Sequence, residues 1–211
     1  MELVTSFAVR DGRAIRPDLH WRRLGLNPRI WVPEVGNYFP QVRVYRSTAH
    51  YRLRPQPPLR TGTALWLAQD PRNLPHLKGP DFTAQLKLRA QALSHGADDA
   101  ALVADGFIRE AANASLIFFR GDELIQAPES LVVDSVTVRA AVEAGLIPAP
   151  RRERVPVGER LPAVAVSALH GFTPVTSWTD SQKPAPEPPL DCESINVQLW
   201  ARAKRLDGPL P

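Results

Sequence analysis

The sequence contains a single cysteine, Cys192, among its 211 residues. One thiol excludes an internal disulfide and any metal site built from several cysteines. No apolar run approaches the roughly 18 to 20 residues that a membrane-spanning helix needs. The first residues also lack the basic start and long apolar core of a signal peptide. We therefore expect a cytoplasmic protein that has no membrane partner.

Metal-binding and nucleic-acid-binding patterns are equally scarce. The five histidines show no metal-ligand spacing and none lies near Cys192, so we expect no metal. The net charge is +4, but the densest basic stretch, RRER at 151–154, is short and contains a glutamate. A nucleic-acid surface would need an extended basic face. The positive balance fits a small anionic ligand better than a nucleic acid.

The order of strand-like and helical segments predicts two domains. Residues 1–55 combine alternating strand patterns with one short helix, and the proline-rich RPQPPLR follows at 54–60. We predict a small N-terminal α+β domain over 1–55. A linker and entry strand would occupy 56–75, and a larger, mostly β domain with outer helices would occupy 76–211.

A lone lysine stands in NLPHLKGPDF, residues 73–82. We predict that a strand ends on Lys78 and that the stiff Gly79-Pro80 pair follows it. By residue type alone, such a lysine is more often a solvated surface charge. A fixed platform on both sides would instead suit an amine that acts as a nucleophile.

The residues after Lys78 predict a helix and then a β-meander. Asp81 can cap a helix that runs to His95, with Gly96 as its stop. Its buried stripe is predicted from helical spacing to be Phe82, Leu86, Ala90 and Leu93. Residues 98–128 then read as four short strands with turns at Asp-Gly and Gly-Asp pairs.

Two further features have both an ordinary and a functional interpretation. Glu110 comes near the end of a strand, before the small residues AANAS, and is either a surface carboxylate or the wall of a flat site. Ser135 and Thr137 can cap a helix whose first N–H groups bind phosphate readily, although most capped helices bind no ligand.

Four motifs in sequence order resemble the fold-type IV pyridoxal-phosphate (PLP) enzymes, the aminotransferase class IV family. The motifs are TSFAVRDGRAIRPDLHWRRL at 5–24, KGPDFTAQLKLRAQALSHGADDAALVADGFIREAANASLIFF at 78–119, DSVTVR at 134–139 and SALHGFTPVTSW at 167–178. The family includes branched-chain aminotransferases, D-amino-acid aminotransferase and 4-amino-4-deoxychorismate lyase. The resemblance implies a small N-terminal α/β sandwich domain and a larger barrel-like β domain with flanking helices. It also implies PLP as the cofactor and a homodimer.

The resemblance assigns roles to particular residues. Lys78 matches the lysine that forms the internal aldimine and acts as acid and base, and Glu110 matches the partner of the pyridine nitrogen. The remaining cofactor-binding positions are Arg23, Ser115, Val136 and Thr137. The candidates on the substrate side are Ser6, His170 and Gly171.

The sequence leaves the reaction open. Ser6 and the SALHGFTPV loop favour a 4-amino-4-deoxychorismate lyase, which releases pyruvate and forms 4-aminobenzoate for folate biosynthesis. The substrate would be a small anionic amino acid or a chorismate derivative. The alternatives are an aminotransferase that acts on branched-chain or D-amino acids, and a homologue without catalytic activity.

Overall fold

The structure of the chain is a computed structural model, and it describes residues 1–179 and 184–206. Sixteen strands and four α-helices lie in this part of the chain. The helices are α1 (Pro17–Leu24), α2 (Phe82–Ser94), α3 (Val136–Glu143) and α4 (Cys192–Ala201). The first strands are β1 (Glu2–Ser6), β2 (Val9–Arg10), β3 (Arg13–Ala14), β4 (Asn37–Tyr38), β5 (Gln41–Tyr45), β6 (Thr48–Arg52), β7 (Thr63–Gln69) and β8 (Asp99–Ala104). The later strands are β9 (Phe107–Ala111), β10 (Ser115–Arg120), β11 (Glu123–Gln126), β12 (Arg151–Arg152), β13 (Val155–Pro156), β14 (Ala163–Ser167), β15 (Gly171–Trp178) and β16 (Lys204–Arg205).

The strands form three sheets. A three-stranded sheet has the order β1-β5-β6, and a four-stranded sheet has the order β16-β3-β2-β4. The nine-stranded sheet has the order β12-β11-β10-β14-β15-β7-β8-β9-β13. It curls, because β9 and β10 also contact each other although other strands separate them in the hydrogen-bonded order. This mixed α and β architecture, with a barrel-like sheet and flanking helices, confirms the predicted fold class.

The large sheet is buried on both faces, as alternation along β10 illustrates. Leu116 and Phe118 belong to an apolar cluster inside the curl. Ile117 and Phe119 point the other way, into a cluster that includes residues of α3 and α4. Successive side chains of a strand face opposite sides, so four consecutive residues of β10 serve both clusters. The four strands predicted for 98–128 are confirmed as β8 to β11.

The prediction that a strand ends on Lys78 is wrong. β7 ends at Gln69, and Lys78 lies in a chain of turns and bends between β7 and α2. This segment carries two prolines before Lys78 and one after it, and proline cannot donate to a β-ladder.

The predicted helix is confirmed as α2, but the prediction of which of its residues are buried in the chain is wrong. Leu86, Ala90 and Leu93 are exposed, and the buried residues are Gln85 and Ala92. The face that carries Ala92 packs against Ala100 and Leu102 of β8. The two leucines are exposed because no element within residues 1–179 and 184–206 covers their side of the helix.

The division at residues 55 and 75 stays a prediction. In the structure, β7 lies near the middle of the nine-stranded sheet, and β16 pairs with β3 near the N-terminus. Among the described residues, no helix combines the length and apolar character needed to cross a membrane.

Candidate active site

A cavity opens between the three-stranded sheet and the curled sheet, and the space in it that admits the centre of a water-sized sphere measures about 160 Å³. Nearly all of the predicted site residues line this cavity: Ser6, Arg23, Lys78, Glu110, Ser115, Val136, Thr137 and His170. Gly171 does not lie on its wall. Instead, Gly171 begins β15 with φ +71°, where its backbone packs against the side chain of Asn196.

Lys78 is held by its backbone although it is not on a strand. Its carbonyl oxygen accepts a hydrogen bond from the Val4 N–H of β1 (2.8 Å). A Cβ atom added to Gly79 would lie 2.8 Å from the Cα of Leu3, so only glycine allows the chain to approach β1 this closely. The Asp81 carboxylate accepts from the Leu74 N–H (3.0 Å) and closes the loop. These contacts fix the position from which the lysine side chain extends.

The amine of Lys78 is easier to deprotonate than that of an exposed lysine. Burial lowers its pKa to about 8, and the positive charge of Arg23 acts in the same direction. A low dielectric disfavours the ammonium form, so about a tenth of the amine is neutral at pH 7, far more than for an ordinary lysine. A neutral amine is the form that attacks an aldehyde.

Glu110 faces the same cavity from β9 and is 3 % exposed. Its Oε1 accepts hydrogen bonds from the guanidinium of Arg72 and from the Val133 N–H, the latter at 3.0 Å. Burial raises the pKa of this carboxyl, and Arg72 is the largest influence that opposes the increase. Both of these hydrogen bonds end on one oxygen, which leaves Oε2 to a ligand.

The start of α3 lines the same cavity and is a candidate anion site. The Ser135 hydroxyl caps the helix by accepting from the Val138 N–H (3.3 Å). Val136 and Thr137 stand in the first turn and line the cavity. The N–H groups of a first turn have no acceptor within the helix, and the helix dipole adds a partial positive charge there.

Arg23 completes this anion site from α1. The helix is anchored by His20, whose Nδ1 lies 2.7 Å from the buried Thr5 hydroxyl. Arg23 follows one turn later and donates to the carbonyl oxygen of Asp134, just before α3. Burial lowers the pKa of Arg23 to about 10. The arginine thus lies beside the α3 terminus, bonded to a neutral oxygen and not to a carboxylate.

The other side of the cavity is rich in arginine. Arg54 donates to the Ser6 hydroxyl (3.1 Å) and to the Phe39 carbonyl (3.0 Å). Arg60 donates to the Asp98 carbonyl (3.2 Å), and its buried Nε has no partner within the described residues. Burial, together with Arg60 and Arg89, lowers the pKa of His170 to about 4, so its ring is neutral.

The cavity wall therefore carries an excess of positive charge. Its basic residues other than histidine are Arg23, Arg54, Arg60, Lys78 and Arg89, five in number. Its acidic residues are Asp99 and Glu110, two in number. Desolvated cations are costly unless an anion neutralises them, so the wall favours anionic ligands.

The groups present fit PLP. The α3 terminus with Arg23 suits a phosphate, the half-buried Lys78 amine suits an aldehyde, and the free oxygen of Glu110 suits a protonated ring nitrogen. Phosphate commonly binds where a helix begins, and a guanidinium supplies the matching charge.

Sequence reasoning missed Arg54, Arg60, Arg72 and Arg89. Arg54 and Arg60 stand at the two ends of the proline-rich segment 54–60, and the fold places both on the cavity wall. Arg72 lies six residues before Lys78. A buried arginine in a loop of prolines has no periodic pattern, so only its contacts in the folded chain reveal it.

Comparison with solved structures places the fold among related proteins. A fold IV-transaminase from Curtobacterium pusillum is 18% identical, covers 95% of this chain and 84% of its own, and gives a TM-score of 0.74. A protein assigned as a 4-amino-4-deoxychorismate lyase from Legionella pneumophila is 15% identical over 95% of this chain and 90% of its own, with a TM-score of 0.72. A branched-chain amino acid aminotransferase from Thermobaculum terrenum, also 15% identical, covers 95% and 85% and gives a TM-score of 0.73.

These identities are low, and what they show is a shared fold. No curated protein sequence matches the chain significantly. The sequence profile described as amino-transferase class IV matches residues 26–178, which is more than half of the chain. PLP-dependent transferases and lyases make up this family, so PLP is the cofactor indicated for this chain. The match confirms the resemblance drawn from the four sequence motifs: the chain belongs to the aminotransferase class IV family of PLP-dependent enzymes.

Proposed function

We propose that the chain is a PLP-dependent lyase that removes pyruvate from 4-amino-4-deoxychorismate to give 4-aminobenzoate, a step of folate biosynthesis. The observation that carries this proposal is the arginine-rich wall that faces Lys78. Arg54 and Arg60 line it separately and bond to neutral oxygens. The proposed substrate has two carboxylates, whereas a branched-chain amino acid has one.

The cofactor's contribution is general to the family. When bound, PLP supplies an aldehyde that condenses with amines and a protonated ring that withdraws electrons from the carbon next to nitrogen. Arg23, the first-turn N–H groups of α3 and the Thr137 hydroxyl would bind its phosphate. Glu110 would hold the proton on its ring nitrogen through Oε2. Ser115 lies at the foot of β10 on the same wall.

Lys78 would move the protons. Its amine takes the proton from the ring carbon that bears the substrate amine, and the C–O bond to the enolpyruvyl group then breaks. The departing enolpyruvate gains a proton at its methylene carbon and becomes pyruvate, so no oxidant or reductant is needed. A base whose pKa is near the working pH transfers protons best, which agrees with the lowered pKa of Lys78.

The substrate's two carboxylates would be held by the arginines of the opposite wall. Arg54 is fixed by Ser6 and by the Phe39 carbonyl, so it can receive one carboxylate without reorganising. Arg60 and Arg89 lie near the neutral His170 and would receive the other.

An assay with two arms separates this reaction from transamination, which would use the same Lys78 and Glu110. The purified PLP-loaded protein is given 4-amino-4-deoxychorismate, and pyruvate release is followed with lactate dehydrogenase. In parallel it is given branched-chain and D-amino acids together with 2-oxoglutarate. Pyruvate release alone supports the lyase, and keto-acid-dependent transfer alone replaces it with an aminotransferase.

A protein without catalytic activity is separated by its spectrum. Bound PLP absorbs near the visible edge, and this band should be lost on borohydride reduction and in Lys78→Ala. A protein that stays colourless after incubation with PLP would overturn the enzyme assignment.

We also propose that two copies form a homodimer through the uncovered face of α2. Leu86 and Leu93 are 45% and 57% exposed, although their spacing with Ala90 is that of a buried stripe. Leu86 also lines the cavity, so a partner on this face would narrow the mouth. Light scattering of the wild type and of Leu86→Glu/Leu93→Glu tests this: a dimer that the double variant turns into a monomer supports it, and a monomeric wild type contradicts it.

A further inference from the structure

Arg72 connects the Glu110 carboxylate to a buried ion network behind the cavity. Its side chain is 1% exposed, and one end of its guanidinium donates to Glu110 Oε1. Its other two nitrogens, Nε and Nη2, each bond an oxygen of Asp70 at 2.9 Å. The side chain of Asp70 is fully buried as well. Arg72 therefore bridges two acids and has no freedom to turn away from either.

Asp70 cannot neutralise Arg72 fully, because Asp70 also pairs with a second arginine. Its Oδ2 also accepts from Nη1 of Arg109 at 3.0 Å. The four groups Arg109, Asp70, Arg72 and Glu110 form one chain of alternating charge with two cations and two anions. With Arg109 assigned to Asp70, one positive charge at Arg72 remains for Glu110.

We propose that Arg72 is a positioning residue that keeps Glu110 ionised and fixes Oε1, so that Oε2 is the oxygen offered to the pyridine nitrogen of PLP. The inference rests on the proposed use of PLP, and it adds a residue from outside the cavity wall. Arg72 itself would touch neither cofactor nor substrate.

The physical reason is the cost of a buried carboxylate. A desolvated carboxyl tends to take up a proton, and a protonated Glu110 could not stabilise a protonated ring nitrogen. Burial does raise the pKa of Glu110, and the charge of Arg72 together with the Val133 N–H opposes that increase. Without Arg72, the proton would move to the carboxyl, and the ring would lose its capacity to withdraw electrons.

The test measures the ring nitrogen directly and does not depend on turnover. The wild type and Arg72→Met are loaded with PLP labelled with ¹⁵N in the ring, and the nitrogen chemical shift is followed from pH 6 to 9. In the wild type we expect a protonated nitrogen throughout. In Arg72→Met we expect the pKa of the ring nitrogen to fall by about 1 to 3 units, the usual effect of one close charge. Arg72→Lys, which keeps the charge, should restore most of the wild-type titration.

Two further variants keep the test decisive. Arg109→Met removes the other guanidinium on Asp70 but keeps the contact between Arg72 and Glu110, so the pKa of the ring nitrogen should fall less than in Arg72→Met. If Arg72→Met does not fold, Asp70→Asn/Arg72→Met removes one buried charge of each sign and should show the same fall. The inference would be overturned if the ring nitrogen has the wild-type pKa in Arg72→Met or, where that variant does not fold, in Asp70→Asn/Arg72→Met. Wild-type protein that binds no PLP would instead refute the proposed function, so the two failures are distinguishable.

Discussion

The buried and partly buried arginines around this cavity are of two kinds. Arg72 and Arg109, the paired arginines, both donate to the carboxylate of Asp70, and Arg72 also donates to that of Glu110. Arg23, Arg54 and Arg60, the open arginines, bond to carbonyl or hydroxyl oxygens, and the nearest carboxylate approach for Arg60 is 3.9 Å. All three of the open arginines line the cavity, and neither of the paired ones does.

The difference indicates what each end of the cavity receives. A cation that is bonded only to neutral oxygens is not neutralised, so its burial is costly until an anion binds to it. The open arginines therefore mark where phosphate and carboxylates would bind. The paired arginines serve the opposite purpose, since they support a carboxylate that is to receive a cationic ring nitrogen. The following experiments test this distinction.

The largest effect is expected at Lys78, the amine that stands between the two kinds of arginine. Lys78→Ala should lower the turnover rate by about 10²- to 10⁴-fold, the usual range for loss of a positioned acid or base. It should also abolish the increase in the mass of the protein that borohydride produces by fixing PLP to the lysine. The matched control is Lys87→Ala, an exposed lysine of α2. Activity within tenfold of the wild type in Lys78→Ala would show that another group carries the proton.

The pairing of Arg72 with Glu110 predicts that Glu110→Gln lowers the free energy of unfolding. Glu110→Gln removes the charge that faces Arg72 in a site where both side chains are at most 5% exposed. Breaking one partner of a buried pair costs about 3 to 5 kcal/mol. Urea unfolding of the cofactor-free protein measures this.

Glu159, whose side chain is 36% exposed and pairs with Arg120 at 2.9 Å, offers the comparison. Glu159→Gln should change the free energy of unfolding by no more than about 1 kcal/mol. Equal costs for Glu110→Gln and Glu159→Gln would mean that the buried network gives no special support.

The open arginines predict loss of substrate binding without loss of stability. Arg54→Gln should raise KM for the dicarboxylate substrate by about 10- to 100-fold, which corresponds to one hydrogen bond between charged groups. The midpoint of unfolding should stay the same or rise, because a partly buried cation without a carboxylate partner is removed. Arg52→Gln, on exposed β6 nearby, is the control and should change neither quantity. A destabilised Arg54→Gln with unchanged KM would place Arg54 with the paired arginines.

Local sequence signals draw attention to Glu110 near the end of β9 and to the start of α3, because strands have periodic patterns and helices have caps. Arg23 on α1 is indicated only by the resemblance to the family's N-terminal motif. Arg72 and Arg54 could not be predicted, because each becomes functional only when distant segments meet. Arg72 is 38 residues from Glu110, and Arg54 is 48 residues from Ser6.

The exposed leucines of α2 illustrate the opposite error. Their spacing predicts burial, and that prediction assumes that the chain itself supplies the covering surface. Helical periodicity records that a face is apolar. It does not record which molecule covers that face. An apolar stripe that a second copy would cover therefore has the same sequence pattern as a stripe that faces the core.

The last expected effect is a pH dependence of stability at Lys78. Its pKa is about 8 in the folded chain against 10.5 as the ordinary value. Between these two pH values the unfolded chain binds more protons than the folded chain, so the free energy of unfolding contributed by this residue rises with pH. Below pH 8 the buried ammonium has its full cost. We therefore expect cofactor-free Lys78→Met to be more stable than the wild type at pH 7, and the difference to shrink steadily as the pH rises towards 10.5. Urea unfolding of both proteins at several pH values measures the difference, and a difference that stays constant from pH 7 to 10 would show that Lys78 is not desolvated in the folded chain.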